Sequence, residues 1–281
     1  MKVTDVSELE KIAKQVRIDV LNEVYTAHSG HIGGAFSVAD ILTVLYFNEM
    51  NINPEKPKDL LRDRFVLSKG HASAVFYAVL AERGFFPREN LKNFRKLNGH
   101  LEGHPCMEET AGVDMTTGSL GQGFSTANGI ALASKMDKLG NRVYCIVGDG
   151  EIEEGQIWEA AMLSSQYKLD NLCLIVDCNN LQLSDKTSEI MGLNADDIEN
   201  KFRSFGFFTT QINGNDISSI LSAFEIAKNK KGMPTCIIAR TIKGKGVSFM
   251  ENNVSWHGKA PTEDEYKKAL EELSKEWNKQ I

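Results

Sequence analysis

The sequence predicts an α/β fold, with one parallel sheet and helices on both faces. Three observations carry that expectation. Strand-length apolar runs alternate with segments of helical period. The runs Val143 to Val147 and Leu172 to Val176 are continuously apolar, as strands buried on both sides are. Both stop at polar turns, Gly148-Asp149-Gly150 and Cys178-Asn179-Asn180, and sheets of this kind bind ligands beyond the carboxyl ends of their strands.

The elements follow in order. Ser7 to Tyr25 places Leu9, Ile12, Ala13, Val16, Val20, Leu21 and Val24 at helical spacing, and Ser7 with Glu10 reads as a capping box. A Gly/His-rich break runs from Ala27 to Gly34. Ser37 then caps a helix from Val38 to about Phe47, apolar nearly all round and so buried on several sides. Arg64 to Leu67 is a short strand, and Ser68-Lys69-Gly70-His71 opens a helix from about Ala72 to Glu82. Gly99 to Ser119 reads as irregular. A helix from about Gly121 to Leu139 leads through Gly140-Asn141 into the strand that ends at Gly148. Another helix spans about Ile157 to Tyr167, ahead of the strand Leu172 to Asp177. Gly206 to Ile212 and Thr235 to Ala239 supply two more strands with a helix between them. Glu263 to Trp277 is a charged amphipathic helix. No repeat or low-complexity linker divides the chain, so residues 1–281 are expected to form a single domain with a helical C-terminal tail.

A chain of 281 residues with 42% hydrophobic content has ample material for a large core. The formal charge of −6 argues against a nucleic acid or an anionic membrane surface as the main partner. Met1 to Asp5 runs straight into the first helix with no apolar signal-peptide core, and the apolar runs are too short to span a bilayer. The cysteines, Cys106, Cys145, Cys173, Cys178 and Cys236, form no C-x-x-C pair, and three lie inside strand-like runs. They read as buried thiols of a reducing compartment, and a cytoplasmic location is expected.

Gly148-Asp149-Gly150 gives a carboxylate a rigid base and an open front. The glycines admit a ligand close to the backbone, and a following amide can point at an anion. Asn179 ends the next strand and can be its neighbour in space. A carboxylate, an amide oxygen and a backbone carbonyl suit a hard ion that completes its shell with diphosphate oxygens and water. Alone, the triplet reads equally well as a tight turn. With Asn179-Asn180 about thirty residues on, it resembles the signature of thiamine diphosphate enzymes. The resemblance implies the diphosphate-binding (PP) type of that fold. Asp149, Asn179 and the Leu181 carbonyl would hold Mg²⁺, with Ca²⁺ or Mn²⁺ as substitutes, and the Gly150 backbone would meet the diphosphate. Asp177 is a rival carboxylate that reads as support for the loop.

His31, His71 and His104, each taken singly, read as ordinary loop histidines. Together their motifs are more specific. Ser68-Lys69-Gly70-His71-Ala72, Gly103-His104-Pro105, the segment Thr116 to Gly123, Gly148-Asp149-Gly150 and Trp256-His257-Gly258 resemble transketolase motifs, in the family's order, over about residues 10 to 265. The resemblance implies that His71 and His257 lie near the cofactor diphosphate. Gly118, Ser119 and Leu120 would line its aminopyrimidine and thiazolium region. His31, His104 and His257 would face the reacting end of the donor sugar and act catalytically, since imidazoles exchange protons near neutral pH. The implied activity is transfer of a two-carbon ketol group from a ketose to an aldose, as in pentose phosphate chemistry, on a carbanion supplied by the cofactor. Glu154 and Glu159 read either as a solvated acidic helix start or, by the resemblance, as interface glutamates linking two active sites. Lys243-Gly244-Lys245-Gly246 reads as a flexible basic loop leading to His257, since no full P-loop pattern is present.

Ile32 and Ser119 stand where the family usually has proline, and Cys106-Met107 replaces an acidic residue. These departures resemble the shorter, two-subunit transketolases. After His257 about two dozen residues remain, too few for another domain. The glutamate that activates the aminopyrimidine would therefore come from a C-terminal transketolase subunit, in an α₂β₂ heterotetramer acting on sugars or sugar phosphates, a sulfo-sugar or branched sugar phosphate included. The competing readings are the alpha chain of a 2-oxoacid dehydrogenase and a non-catalytic cofactor-binding regulator.

Overall fold

A computed structural model describes residues 2–275. In chain order it contains α1 (Val6–Ala27), α2 (Ile32–Ser37), α3 (Ala39–Val44), β1 (Arg64–Leu67), α4 (Ser73–Arg83), α5 (Gln122–Met136), β2 (Val143–Gly148), α6 (Gly155–Gln166) and β3 (Leu172–Cys178). α7 (Thr187–Ile190), α8 (Ala195–Ser204), β4 (Phe208–Asn213), α9 (Ile217–Asn229), β5 (Thr235–Arg240) and α10 (Glu263–Ser274) complete it. The strands form one sheet in the order β1-β2-β3-β5-β4, and every neighbouring pair is parallel. The expected architecture is the observed one.

Alternation along the strands divides the interior in two. Phe65, Leu67, Tyr144, Ile146, Ile175 and Ile237 face a core built with α1, α3, α4 and α9. Val66, Cys145, Val147, Leu174, Val176 and Ile238 face a second core under α5, α6 and α8. With both faces covered, neither set alternates with polar residues, and that is why the strands read as unbroken apolar runs. β4 is the exception, a half-buried edge strand.

Several local expectations need correction. α1 is capped by Asp5, whose Oδ1 accepts from Glu8 N at 2.9 Å, so Ser7 lies inside the helix and makes no capping box with Glu10. The break after α1 ends at His31, not Gly34. Gly33 is helical, and it is glycine because a Cβ there would stand 2.7 Å from the Trp256 carbonyl oxygen. The helix expected from Val38 to Phe47 is broken: α3 ends at Val44 and a π-helical turn, Leu45–Glu49, follows. Ser37 does not cap it. Its hydroxyl lies 2.9 Å from Gly34 O and 2.6 Å from Asp177 Oδ2. α7 and α8 were not expected from the sequence. α8 buries only Ala195, Ile198 and Phe202, a stripe too sparse to announce itself. The expected end of the last helix, at Trp277, lies outside the described residues.

Candidate active site

Because all five strands are parallel, their carboxyl ends share one edge. The register aligns Leu67 with Ile146, Gly148 with Asp177, and Cys178 with Arg240. The residues following β1, β2, β3 and β5 therefore leave the sheet side by side.

Asp149 is buried directly after β2. Its Oδ1 accepts from Gly150 N at 2.9 Å and its Oδ2 from Asn180 N at 2.5 Å. Burial, and then the neighbouring Asp177, push its carboxyl up to about 7. Asn179 points its amide nitrogen at Asp177 Oδ2, 2.9 Å away, and its Oδ1 accepts from Leu181 N at 3.1 Å. Asp177 is the hub beneath. Its carboxylate takes hydrogen bonds from Ser37, Lys69, Asn179 and Thr241. With four donors on two oxygens it is fully engaged, in keeping with a supporting place in the loop. The Gly150 amide, expected on a diphosphate, here donates to Asp149.

The donor set fits a hard divalent ion. One carboxylate, one amide oxygen and one carbonyl oxygen come from two adjacent loops, and burial together with Asp177 disfavours the bare carboxylate there. Among the described residues no group of three or more His, Cys, Asp or Glu stands ready to hold a metal. The remaining ligands would have to come from diphosphate and water.

Three histidines gather beside this loop. His71 stacks on His257 at 5.4 Å between centroids, and His31 meets them edge-on at 5.0 and 5.6 Å. Burial lowers all three, His31 to about 4, His71 to about 2 and His257 to about 3, with Lys69 adding to the effect on His71 and Lys243 to that on His257. They are neutral at physiological pH, able to donate at one nitrogen and accept at the other. The Nδ1 of His31 is buried without a hydrogen-bond partner. His104 joins through Gly118, where a Cβ would stand 3.2 Å from the His104 ring. Burial, and then the Arg95 guanidinium, hold the His104 imidazole below its ordinary value.

The Thr116 to Gly121 loop is locked onto the site by two devices. A Cβ on Gly70 would meet Thr117 Oγ1 at 2.7 Å and Gly118 N at 2.9 Å, so only glycine lets the two loops touch. Glu151 then joins the ends of β1 and β2 to the start of α5. Its Oε1 accepts from Ser68 Oγ at 2.5 Å and Gly121 N at 2.9 Å, and its Oε2 from Gly148 N at 3.0 Å. Leu120 is half-buried in this loop and Ser119 is exposed beside it. Glu154 and Glu159 are exposed, at the start of α6 and within it, outside the histidine cluster.

Sequence reading missed Lys69, Lys243, Glu151 and Arg95. Lys243 corrects an expectation. Expected in a flexible basic loop, it is 1% exposed, and its Nζ lies 3.0 Å from Leu181 O and 2.7 Å from His257 Nδ1. Its position just past β5 was the available signal. Glu151 adjoins the Gly-Asp-Gly turn and was equally within reach. Arg95 had no signal. It sits at φ 56° in an irregular stretch and donates to Ser29 Oγ at 3.0 Å and Gly103 O at 3.3 Å.

A parallel sheet with an oxygen-donor turn and a histidine cluster at its carboxyl edge defines a cofactor-diphosphate-binding domain. The sequence profile of the family described as "Transketolase, thiamine diphosphate binding domain" matches residues 9–280, and the chain belongs to that family. It is 45% identical to a 6-deoxy-6-sulfo-D-fructose transketolase subunit of a Clostridium species, over 96% of this chain and 97% of that one. One of the apulose-4-phosphate transketolase subunits of Phocaeicola vulgatus is 41% identical, over 96% and 95%. The transketolase of Homo sapiens is 40% identical over 94% of this chain but only 42% of its own length. The crystal structure of Campylobacter jejuni transketolase superposes with a TM-score of 0.90 at 36% identity, covering 96% of this chain and 43% of that one. The chain thus spans less than half of the single-chain transketolases and nearly all of the subunits.

Proposed function

We propose that this chain is the diphosphate-binding subunit of a thiamine diphosphate- and Mg²⁺-dependent transketolase. It would move a two-carbon ketol group from a ketose to an aldose together with a second chain. The observation that carries the reading is the meeting of the Asp149–Asn179–Leu181 oxygen set with His31, His71 and His257 at one sheet edge. A regulator that only bound the cofactor would have no use for His31 and His104 beyond the grip.

Asp149, Asn179 and the Leu181 carbonyl would hold the metal, and the Gly150 backbone and His71 the diphosphate. Gly118, Ser119 and Leu120 would line the rings. When bound, thiamine diphosphate supplies the carbanion chemistry. The chain's own work is then to fix the metal, exclude water and exchange protons at the sugar's hydroxyl and carbonyl oxygens. His31, His104 and His257 are the groups that meet those oxygens, by hydrogen bond or by proton exchange, and positioned acid–base help is worth about 10²–10⁴ in rate. The partner would carry the activating glutamate, in an α₂β₂ assembly. The exposure of Glu154 and Glu159 leaves them free to meet another chain there. Unpaired cysteines throughout the described residues support a reducing, cytoplasmic setting, and no described helix is long and apolar enough to cross a membrane.

The test is co-purification with the neighbouring gene product, followed by a ketol-transfer assay with Mg²⁺ and thiamine diphosphate. Donors are to include a pentulose phosphate, a branched sugar phosphate and a sulfo-ketose, because the similar subunits are named for the last two kinds. Ketol transfer by the pair, with negligible activity of either chain alone, is the expected result. Oxidative decarboxylation with a lipoyl acceptor, or robust turnover by this chain alone, would overturn it.

A further inference from the structure

Lys243 ties the loop after β5 to His257, and the chemistry of the pair decides which ring nitrogen carries hydrogen. Its Nζ is 2.7 Å from His257 Nδ1 and 3.0 Å from Leu181 O. Burial lowers the Lys243 amine to about 8, which leaves it chiefly an ammonium at neutral pH, with three donors and no acceptor, so both partners accept from it. Nδ1 therefore turns a lone pair to the lysine, and the single hydrogen of the neutral ring sits on Nε2.

Neither side chain is free to turn away. Lys243 is 1% exposed, and Gly33 closes over its stem, where a Cβ would come within 3.2 Å of the lysine Cγ. The Lys243 carbonyl accepts from Asn252 N at 2.9 Å. His257 donates its backbone N–H to Val254 O at 3.0 Å, and its ring is held between His71 and His31.

We infer that Lys243 is a positioning residue that fixes His257 as the Nε2–H tautomer, so that His257 serves the site as a hydrogen-bond donor and not as a proton acceptor. Accepting a proton would need Nδ1, where the ammonium stands, and would set two positive charges 2.7 Å apart. Burial and the nearby lysine accordingly hold the ring's value down, at about 3. His31 differs, since its Nδ1 is buried without a hydrogen-bond partner. The use made of the His257 donor rests on the ketol-transfer reading. The assignment of its hydrogen does not.

Long-range proton–nitrogen NMR on the full chain, with ¹⁵N-labelled histidine at neutral pH, tests the assignment. The His257 signals are identified by their loss in His257→Gln. The expected spectrum shows an unprotonated Nδ1 and a protonated Nε2 in the natural chain, and a mixture of tautomers in Lys243→Met. A hydrogen on Nδ1 in the natural chain overturns the inference, and so does an unchanged single tautomer in Lys243→Met. Should Lys243→Met fail to fold, the natural chain's spectrum still decides. In the two-chain enzyme, His257→Gln keeps an N–H donor and is expected to lower kcat no more than about tenfold, whereas lost proton transfer costs about 10²–10⁴. A fall in that larger range overturns the donor role. An inactive natural pair would remove the ketol-transfer reading, and the NMR result would stand apart from it.

Discussion

Lys69 Nζ and Asp177 Oδ2 lie 2.6 Å apart beneath the turns that follow β2 and β3, with side chains 3% and 0% exposed. Asp177 joins β3 to Ser37 and Thr241 while orienting Asn179, so the ion pair sits behind the grip and not in it. Removing one partner strands a buried charge, at a cost of about 3–5 kcal/mol. Asp177→Ala is therefore expected to lower the urea midpoint sharply. The double variant Lys69→Met, Asp177→Leu should recover most of the loss. An Asp177→Ala chain as stable as the natural one would refute this account of the turn.

Asp149 makes a different prediction, because it is held in place by Gly150 and Asn180 and not by a cation. Asp149→Ala is expected to abolish Mg²⁺-dependent binding of thiamine diphosphate, read by titration calorimetry. Cofactor affinity equal to that of the natural chain would mean that the metal sits elsewhere.

The histidine cluster sets an acid limit on the metal-free chain. His71, His257 and His31 have folded values near 2, 3 and 4, below the ordinary 6.5. Below pH 6.5 the unfolded chain takes up protons that the folded chain refuses, so stability falls as the pH drops, and it levels off only near the folded values. His71, the most buried, contributes up to about 1.4 kcal/mol per pH unit in that window. The more open His31 and His257 contribute less. Denaturant unfolding from pH 7 to 5 is expected to show this slope, and His71→Asn to flatten it. An equal slope in the variant would assign the acid sensitivity to other groups.

Glu151 tests the loop that carries Gly118 to Leu120. Its carboxylate accepts the backbone N–H groups of Gly121 and Gly148. Glu151→Ala leaves both without that acceptor, and an unpaired buried group costs about 1–3 kcal/mol. Reduced stability together with weaker cofactor binding is expected. A stable variant with full affinity would show that the loop is held by the Gly70 contact alone.

His31 separates binding from chemistry. In the two-chain enzyme, His31→Ala is expected to leave cofactor affinity within a few-fold while kcat falls about 10²–10⁴. A variant that loses the cofactor, or that keeps full turnover, contradicts a role at the sugar.

The strands β1, β2, β3 and β5 were legible because burial on both faces forces continuous apolar runs, a signal that lies within each segment. Where the interior asked for something local patterns do not encode, reading failed. Gly33 and Gly34 resemble a loop in sequence, yet they are helical, and the room that glycine leaves at position 33 is taken by the Trp256 carbonyl from far along the chain. Ser37 resembles a cap, yet its hydroxyl serves Asp177. Lys243 resembles a lysine of a flexible basic loop, and its burial depends on Leu181 and His257 waiting beside it.

Sequence alone determined which groups are available: an aspartate and an asparagine at two buried strand ends, and a set of histidines in glycine-rich turns. Those identities and their places on strand ends follow from short-range pattern. Only the tertiary structure decided which of them meet and which charges are buried to hold them. Asp177 finds Lys69 across 108 residues, and Leu181 finds Lys243 across 62. Such pairings depend on strand order and register, which no local stretch of chain contains.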